Sequence, residues 1–505
     1  MDASRPSQAP TRLAHRVAST SRAPGAVRSL PLSGVPHCDP IAVRPSPLGQ
    51  GAPRERHGAS ARARSAPVNL VIDILPVGIG AVFAVALVGA TAALETTEPT
   101  PAAAATNDGP ALSRGINLAR PFNLPTRDGD SYADPPFTHP DATVEPWELE
   151  RLARIGFDHM RLPLSPGVFL SAEPSSRARL DGELRLFVET IIGAGLDVIL
   201  DPHPTPGDHP FAPMDIQDDP QRLAAYEAWL LELAALALDH PGRVALGLMN
   251  EPQPDCERED GTDWTEHQRR LHAAVRAAAP DLPVLVTPGC WSSTKGLAHL
   301  SMAPFDEQTR VDVHYYGPYA FTHQSPRWAA EPFRFVAGLA YPASEGTFEQ
   351  TMRATARWQA HLRADGYTGP IDSAGARRIV ADYYGRRQPD EREVRRTMDA
   401  IARWAAEQGI ESDRILIGEF GAWRLQPPVA DADRGSRARW LRDVREAAEA
   451  AGFGWAHWEY TSPFGIAVGP NRALDPAALD ALGLDVSGAA SSDAGASPNH
   501  RASVH

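Results

Sequence analysis

Residues 194–203 read AGLDVILDPH. Gly195 stands where a helix would end in the left-handed conformation that glycine adopts without a Cβ clash. The run from Leu196 to Leu200 is apolar except for Asp197. It lacks the alternation of a strand that wets one face, so it predicts a strand buried on both. It then stops on Asp201 and His203. A charge at the end of a buried strand must open onto water or a partner, because burying it alone costs several kcal/mol. Helix stop, buried strand and polar strand end form one unit.

The chain repeats that unit. Comparable runs occur at GINLA (115–119), DHMRL (158–162), VALGLM (244–249), PVLVT (283–287), VDVHY (311–315), ILIGE (415–419) and GWAHW (454–458). Between them lie helical patterns such as PQRLAAYEAWLLELAALAL and WTEHQRRLHAAVRAAA, with apolar residues at i, i+3, i+4 and i+7. Gly156 and Gly452 precede strands as Gly195 does. Eight strands alternating with helices over residues 111–485 predict an α/β protein, a (β/α)8 TIM barrel. One interval breaks the rhythm. From Gly317 to Arg414 an extra helix (TFEQTMRATARWQAHLRA) and an aromatic-rich loop precede the expected helix EREVRRTMDAIARWAAEQ. Such an enlarged insertion after strand 6 is expected to shape a substrate cleft.

In a TIM barrel, polar residues at the C-terminal strand ends point at the active site. Strand 2 supplies Arg161, strand 3 Asp201 and His203, strand 4 Asn250 and Glu251. Strand 6 supplies His314 and Tyr316, strand 7 Glu419, and strand 8 Trp458. Strands 4 and 7 lie across the barrel mouth, so Glu251 and Glu419 are expected to face each other. A carboxylate pair in that position suits glycoside hydrolysis, with one acid for the leaving oxygen and one carboxylate at the anomeric carbon. Arg161 is expected to hold Glu419 ionised, and a drier setting to raise Glu251 toward a useful acid. Trp458 offers a flat face for a pyranose ring. Asp201 reads as structural and His209 as loop surface.

At these residues the sequence resembles glycoside hydrolase family 5, the cellulase family of retaining barrel glycosidases. The resemblance rests on HMRLP (159–163), ILDPHPTPG (199–207), GLMNEP (247–252), DVHYYGPYAFTHQ (312–324), IGEFGAW (417–423) and WEY (458–460). It implies Glu251 as acid/base and Glu419 as nucleophile, with Asn250 on the sugar 2-hydroxyl. It implies further that His314, Tyr316 and Arg161 orient the nucleophile, and that His203 and Trp458 line the subsite of the cleaved sugar. Many cellulases of the family carry two adjacent His after strand 3. Here His203 is followed by Pro204-Thr205-Pro206-Gly207, nearer to the exo-β-1,3-glucanase branch. The expected activity is a retaining endo-β-1,4-glucanase, with a β-1,3-glucanase or β-mannanase as the alternative. No cofactor and no metal are implied. Two other readings stand beside it. One is a metal-dependent hydrolase built on Asp201, His203, His209 and His314, which lacks the His-x-His pair such barrels favour on strand 1. The other is a glycan-binding barrel without catalysis.

Outside the barrel the chain divides by charge. Of 505 residues, 49 are Lys or Arg and 63 Asp or Glu, a net charge of −14. Residues 1–67 hold ten Arg against Asp2, Asp39 and Glu55, a net +7, which leaves the remainder at −21. So acidic a body repels phosphate backbones, which argues against a nucleic-acid partner. The basic front reads as a disordered cytoplasmic tail or a mis-called extension. Residues 68–94 contain an uncharged apolar run, Ile74 to Leu94, read as a signal peptide or a membrane anchor. Either sends the enzyme out of the cytoplasm, secreted or periplasmic, tethered if residues 74–94 are retained. Residues 95–110 read as a Pro/Ala/Thr linker and 486–505 as a disordered tail. A monomer is expected, acting on a polysaccharide or oligosaccharide. Of three Cys, Cys38 lies in the front segment, and Cys256 and Cys290 follow strands 4 and 5 on neighbouring loops. These two are candidates for a disulfide, which needs Cα atoms within about 7 Å.

Overall fold

Gly195 takes φ 95° just after helix α2 (Pro174–Gly193), and Gly452 takes φ 79° just after a later helix. Both turn the chain back toward the barrel as the sequence predicts. The structure, a computed structural model, describes residues 109–253 and 264–487. The segments 1–67 and 68–94, the linker up to 108, Cys256 and the tail from 488 lie outside the described residues. Among the described residues no helix is long and apolar enough to cross a membrane.

Eight parallel strands close into a barrel: β1 (Arg114–Asn117), β2 (His159–Leu164), β3 (Asp197–Pro202), β4 (Val244–Gly247), β5 (Val284–Val286), β6 (Thr309–His314), β7 (Ile415–Phe420) and β8 (Gly454–His457). Neighbours follow chain order, and β1 pairs with both β2 and β8, so no edge is left. Ile199, Ala245, Leu285 and Leu416 point inward from four strands and pack with Leu112 inside the barrel. The larger core lies between the strands and the helices around them. It explains the near-continuous apolar runs, since each strand is buried on both faces.

The helices form where the periodicity predicts them: α1 (Pro146–Arg154), α3 (Pro220–Leu238), α4 (Trp264–Ala278), α7 (Glu391–Gln408) and α8 (Ser436–Ala450). Asp219 caps α3 by accepting from the N–H groups of Gln221 and Arg222. The insertion after β6 folds as α5 (Phe348–Ala364) and α6 (Ser373–Asp382); the latter was not expected. A short α9 (Pro476–Ala481) follows β8. The alternation fails once. Between β5 and β6 only short turns form, chiefly Gly289–Ser292 and Gly296–His299. The segment GCWSSTKGLAH has no helical apolar spacing and is rich in Gly, Ser and Thr, which favour turns.

Candidate active site

The strand ends converge as expected, and Arg161 is their hub. Its side chain is fully buried, and it donates to Glu419 Oε1 at 2.9 Å, Asn117 Oδ1 at 2.9 Å and Asn250 Oδ1 at 2.8 Å. Asp201 lies 3.1 Å from the same guanidinium and Asp312 3.4 Å. Burial alone would lower the pKa of Arg161. The charges of Asp201, Asp312 and Glu419 outweigh it and hold the group still more firmly protonated. Room for Asp312 comes from Gly418 on β7, where a Cβ would collide with its carboxylate.

Glu419 is held at both oxygens, Oε1 by Arg161 and Oε2 by the Tyr316 hydroxyl at 2.9 Å. Burial pushes its carboxyl up, while His314 and Arg161 pull it down and Glu251 adds to the rise; the net direction is upward. The sequence expects Arg161 to decide this group. Desolvation, which depends on what the fold stacks around it, proves the larger effect.

His314 stands between the two glutamates. Its Nδ1 lies 2.9 Å from Glu251 Oε1 and 3.6 Å from Glu419 Oε2, so its shorter contact is with the residue on β4's loop, not with Glu419. Burial would lower its imidazole. The charges of Glu419 and Asp312 and the hydrogen bond to Glu251 push it up to about 10, so it is protonated at neutral pH. One carboxylate oxygen from each glutamate and one nitrogen of His314 lie within 4.8 Å of one another. A cation placed there would compete with the protonated His314 and with Arg161.

The relative exposure of the glutamates reverses the expectation. Glu251 is 27 % exposed at its side chain and Glu419 only 5 %. Glu251 lies on the loop beyond β4, whereas Glu419 lies within β7. The Glu251 backbone takes φ 42°. Its N–H donates to Ser292 Oγ at 3.2 Å, and Trp291 N–H donates to Pro252 O at 3.2 Å. Cys290, Trp291 and Ser292 are themselves left-handed, with φ of 61°, 63° and 51°. Such strain in non-glycine residues gathers where a fold must aim a functional group. Cys290 is buried. Its expected partner Cys256 lies outside the described residues.

His203 and Trp458 meet as stacked rings, 5.6 Å apart at 18°. His203 Nδ1 is 2.8 Å from Asp201 Oδ2, and Asn250 Nδ2 is 3.2 Å from His203 Nε2. Asn250 thus bridges Arg161 and His203. Asp201, read from the sequence as structural, orients both Arg161 and His203. Asn117 and Asp312 were missed. The available signal was a polar residue in an otherwise buried strand, two positions before His314 in the case of Asp312. The four residues of the metal-hydrolase alternative do not gather. His209 is 70 % exposed and pairs with Asp215 at 2.6 Å. Among the described residues the His/Cys/Asp/Glu group with ligand spacing is Glu251, His314 and Glu419.

Comparison with known proteins gives the family and the fold. Residues 148–463 match the family described as cellulase (glycosyl hydrolase family 5). Endoglucanase 3 of Fibrobacter succinogenes is 22% identical over 331 residues, covering 63% of this chain and 46% of that protein. The chain thus spans about half the length of that relative. Endoglucanase C of Acetivibrio thermocellus is 21% identical, covering 64% of this chain and 85% of its own. The endoglucanase Cel5A of Thermotoga maritima superposes with a TM-score of 0.52 at 21% identity, over 74% of this chain and 97% of its own. Structures of that protein include complexes with cellobiose and with mannotriose. The family match spans β2 to β8 and takes in every strand end described above except Asn117 on β1; this chain belongs to glycosyl hydrolase family 5, the cellulase family.

Proposed function

We propose that the protein is a retaining β-glycanase that cuts β-1,4-glucan internally, with Glu419 as nucleophile and Glu251 as acid/base. The observation that carries this is the spacing of the two carboxylates, whose nearer oxygens lie within 4.8 Å. Retaining glycosidases hold their carboxyl groups about 5–5.5 Å apart, and inverting ones about 6.5–9.5 Å to admit a water. In the first step a Glu419 oxygen bonds to the anomeric carbon as the glycosidic C–O bond breaks. The proton of Glu251 passes to the departing oxygen. Glu251, the more exposed of the pair, is the one a leaving sugar can reach. In the second step Glu251 takes a proton from water, the hydroxide oxygen bonds to the anomeric carbon, and Glu419 is released. Arg161 and Tyr316 fix the Glu419 oxygens throughout, so no reorientation is needed at the moment of attack. Asn250, His203 and Trp458 are proposed to hold the sugar being cut.

The glucan assignment rests on the names of the relatives, which are endoglucanases. The mannotriose complex of the Thermotoga protein keeps β-mannan as the second reading. Reducing-sugar release from cellulosic glucan, β-1,3-glucan, mannan and xylan, measured side by side, separates them. Proton NMR of the first product anomer should show retention, and Glu419→Ala should lower kcat by about 10⁴-fold or more. Inversion, or hydrolysis unchanged in that variant, would overturn the mechanism. Export through residues 68–94 and a Cys256–Cys290 disulfide complete the proposal. The two fit together, because disulfides persist outside the cytoplasm.

A further inference from the structure

We infer that Glu459 is a positioning residue: its buried carboxylate joins the loop after β8 to the loop after β1 and so fixes Trp458 where the sugar is held. The inference rests on the glycanase reading above and adds a residue to what supports the site. Glu459 follows Trp458 directly and is only 2 % exposed, whereas Trp458 is half-buried. Burial pushes the Glu459 carboxyl up, against its hydrogen bonds with Ser462 and Ala119 and the charge of Arg120. A buried carboxylate costs free energy that an apolar side chain of the same size would not. What it accepts explains its placement.

The ladder between β1 and β8 ends at the pair Ile116 and His457. Beyond it, main chain and side chain hold the two loops in turn. Tyr460 N–H donates to Asn117 O at 3.0 Å, and Ala119 N–H donates to Glu459 Oε2 at 3.2 Å. The Ser462 hydroxyl donates to the same carboxylate, and Ile466 N–H donates to Glu459 O at 3.2 Å. Glu459 thus continues the β1–β8 seam past the last strand pair and folds the β8 loop back on itself. Ala119 is fully buried, so removing the carboxylate takes the acceptor from a buried N–H.

Trp458 sits between this seam and β7. Its N–H donates to Phe420 O at 2.9 Å, and its carbonyl passes so close to Gly421 that a Cβ there would collide with it. Its backbone is thus set on one side by β7 and on the other by Glu459. Tyr460, the next residue, is anchored in turn: its hydroxyl donates to Glu148 at 2.6 Å and accepts from Arg151 at 2.8 Å. With the chain fixed at both neighbours, the Trp458 indole is presented in one place, stacked on His203. The hub at Arg161 is held separately. Asn117 reaches Arg161 and Gly418 through its own side chain, not through Glu459. A loosened β8 loop would therefore carry Trp458 away from the sugar and leave Arg161 and Glu419 in place. The effect should fall on KM more than on kcat.

The test measures kcat and KM of the full chain on cellohexaose, with Glu459→Ala and Glu459→Gln made both in the wild type and in Trp458→Ala. If the wild type cuts mannan or β-1,3-glucan instead, the matching oligomer is used. Glu459→Ala should raise KM about tenfold beside Trp458 and less than about twofold in the Trp458→Ala background, because a residue acting through Trp458 has nothing to act on once the indole is gone. Glu459→Gln keeps a carbonyl oxygen for Ala119 N–H and should recover most of the loss. Should the Ala variant fail to fold, Glu459→Asp, one methylene short of Ala119, is read in the same way. A structural role alone would lower the melting temperature and leave KM unmoved. That result, or equal KM changes in both backgrounds, overturns the inference. A wild type that cuts none of these glycans overturns the glycanase reading itself, and the inference falls with it.

Discussion

Arg161 donates to Glu419 Oε1 at 2.9 Å, with the two side chains 0 % and 5 % exposed. The same guanidinium faces Asp201 and Asp312, so one cation serves three buried carboxylates. Removing it leaves His314 as the remaining buried cation beside Glu419 and Asp312, and takes the guanidinium from Asp201. Arg161→Ala is expected to cost about 3–5 kcal/mol of folding stability, read by urea denaturation. Arg161→Lys keeps a charge but not the planar fork that reaches Glu419, Asn117 and Asn250 together. It should retain more stability and still lose about 10²-fold in kcat. Equal stability of the Ala variant and wild type would remove the hub role.

Tyr316 tests the other Glu419 oxygen. Tyr316→Phe deletes only the hydroxyl that donates to Oε2 at 2.9 Å and keeps the ring packed against His323. A fall of about 10²-fold in kcat with KM little changed is expected, since the lost bond fixes the attacking group and not the sugar. A change confined to KM would instead place Tyr316 in substrate binding.

Stability should peak near neutral pH. Burial lowers His323 to about 3, and burial together with the Arg437 charge lowers His457 to about 3. Unfolded, each would take up a proton near 6.5, so their contribution is present above that pH and lost as pH falls toward 3. His314 has the opposite sign. Raised to about 10, it contributes fully below about 6.5 and loses that contribution as pH rises to about 10. Thermal melts from pH 4 to pH 10 should show both limbs, and His323→Phe should flatten the acid one. A melting point that climbs steadily with pH would contradict this balance. Activity should have its own acid limb. Glu419 must be ionised to attack, and its carboxyl is pushed up by burial, so kcat/KM should fall at a pH above the ordinary carboxylate range.

The cysteines give a direct count. With Cys256 and Cys290 bridged, the unreduced, denatured full chain should titrate one thiol, Cys38, and three after reduction. Three thiols before reduction would exclude the bridge. Cys290 adjoins Ser292, which accepts from the Glu251 N–H, so Cys290→Ser should lower kcat more than it lowers the melting temperature.

The sequence by itself carried the barrel and the pair of glutamates. Buried parallel strands must be apolar on both faces, so their ends are conspicuous wherever a charge appears. Glu251, Glu419, Arg161 and His314 could be read one by one in that way. Which of them touch could not. Asp201, Asn117 and Asp312 acquired their roles only when β1, β3 and β6 brought them to Arg161, and a lone polar residue in a buried strand does not name its partner. The tertiary structure also reversed the expected dryness of the two glutamates and gave His314 its closer contact with Glu251. Desolvation and hydrogen bonding depend on distances across the barrel mouth, between residues far apart in the chain. The insertion shows the same division: its length and aromatic content were legible, while the contacts of Trp328 with His323, Trp423 and Phe464 exist only where three loops meet.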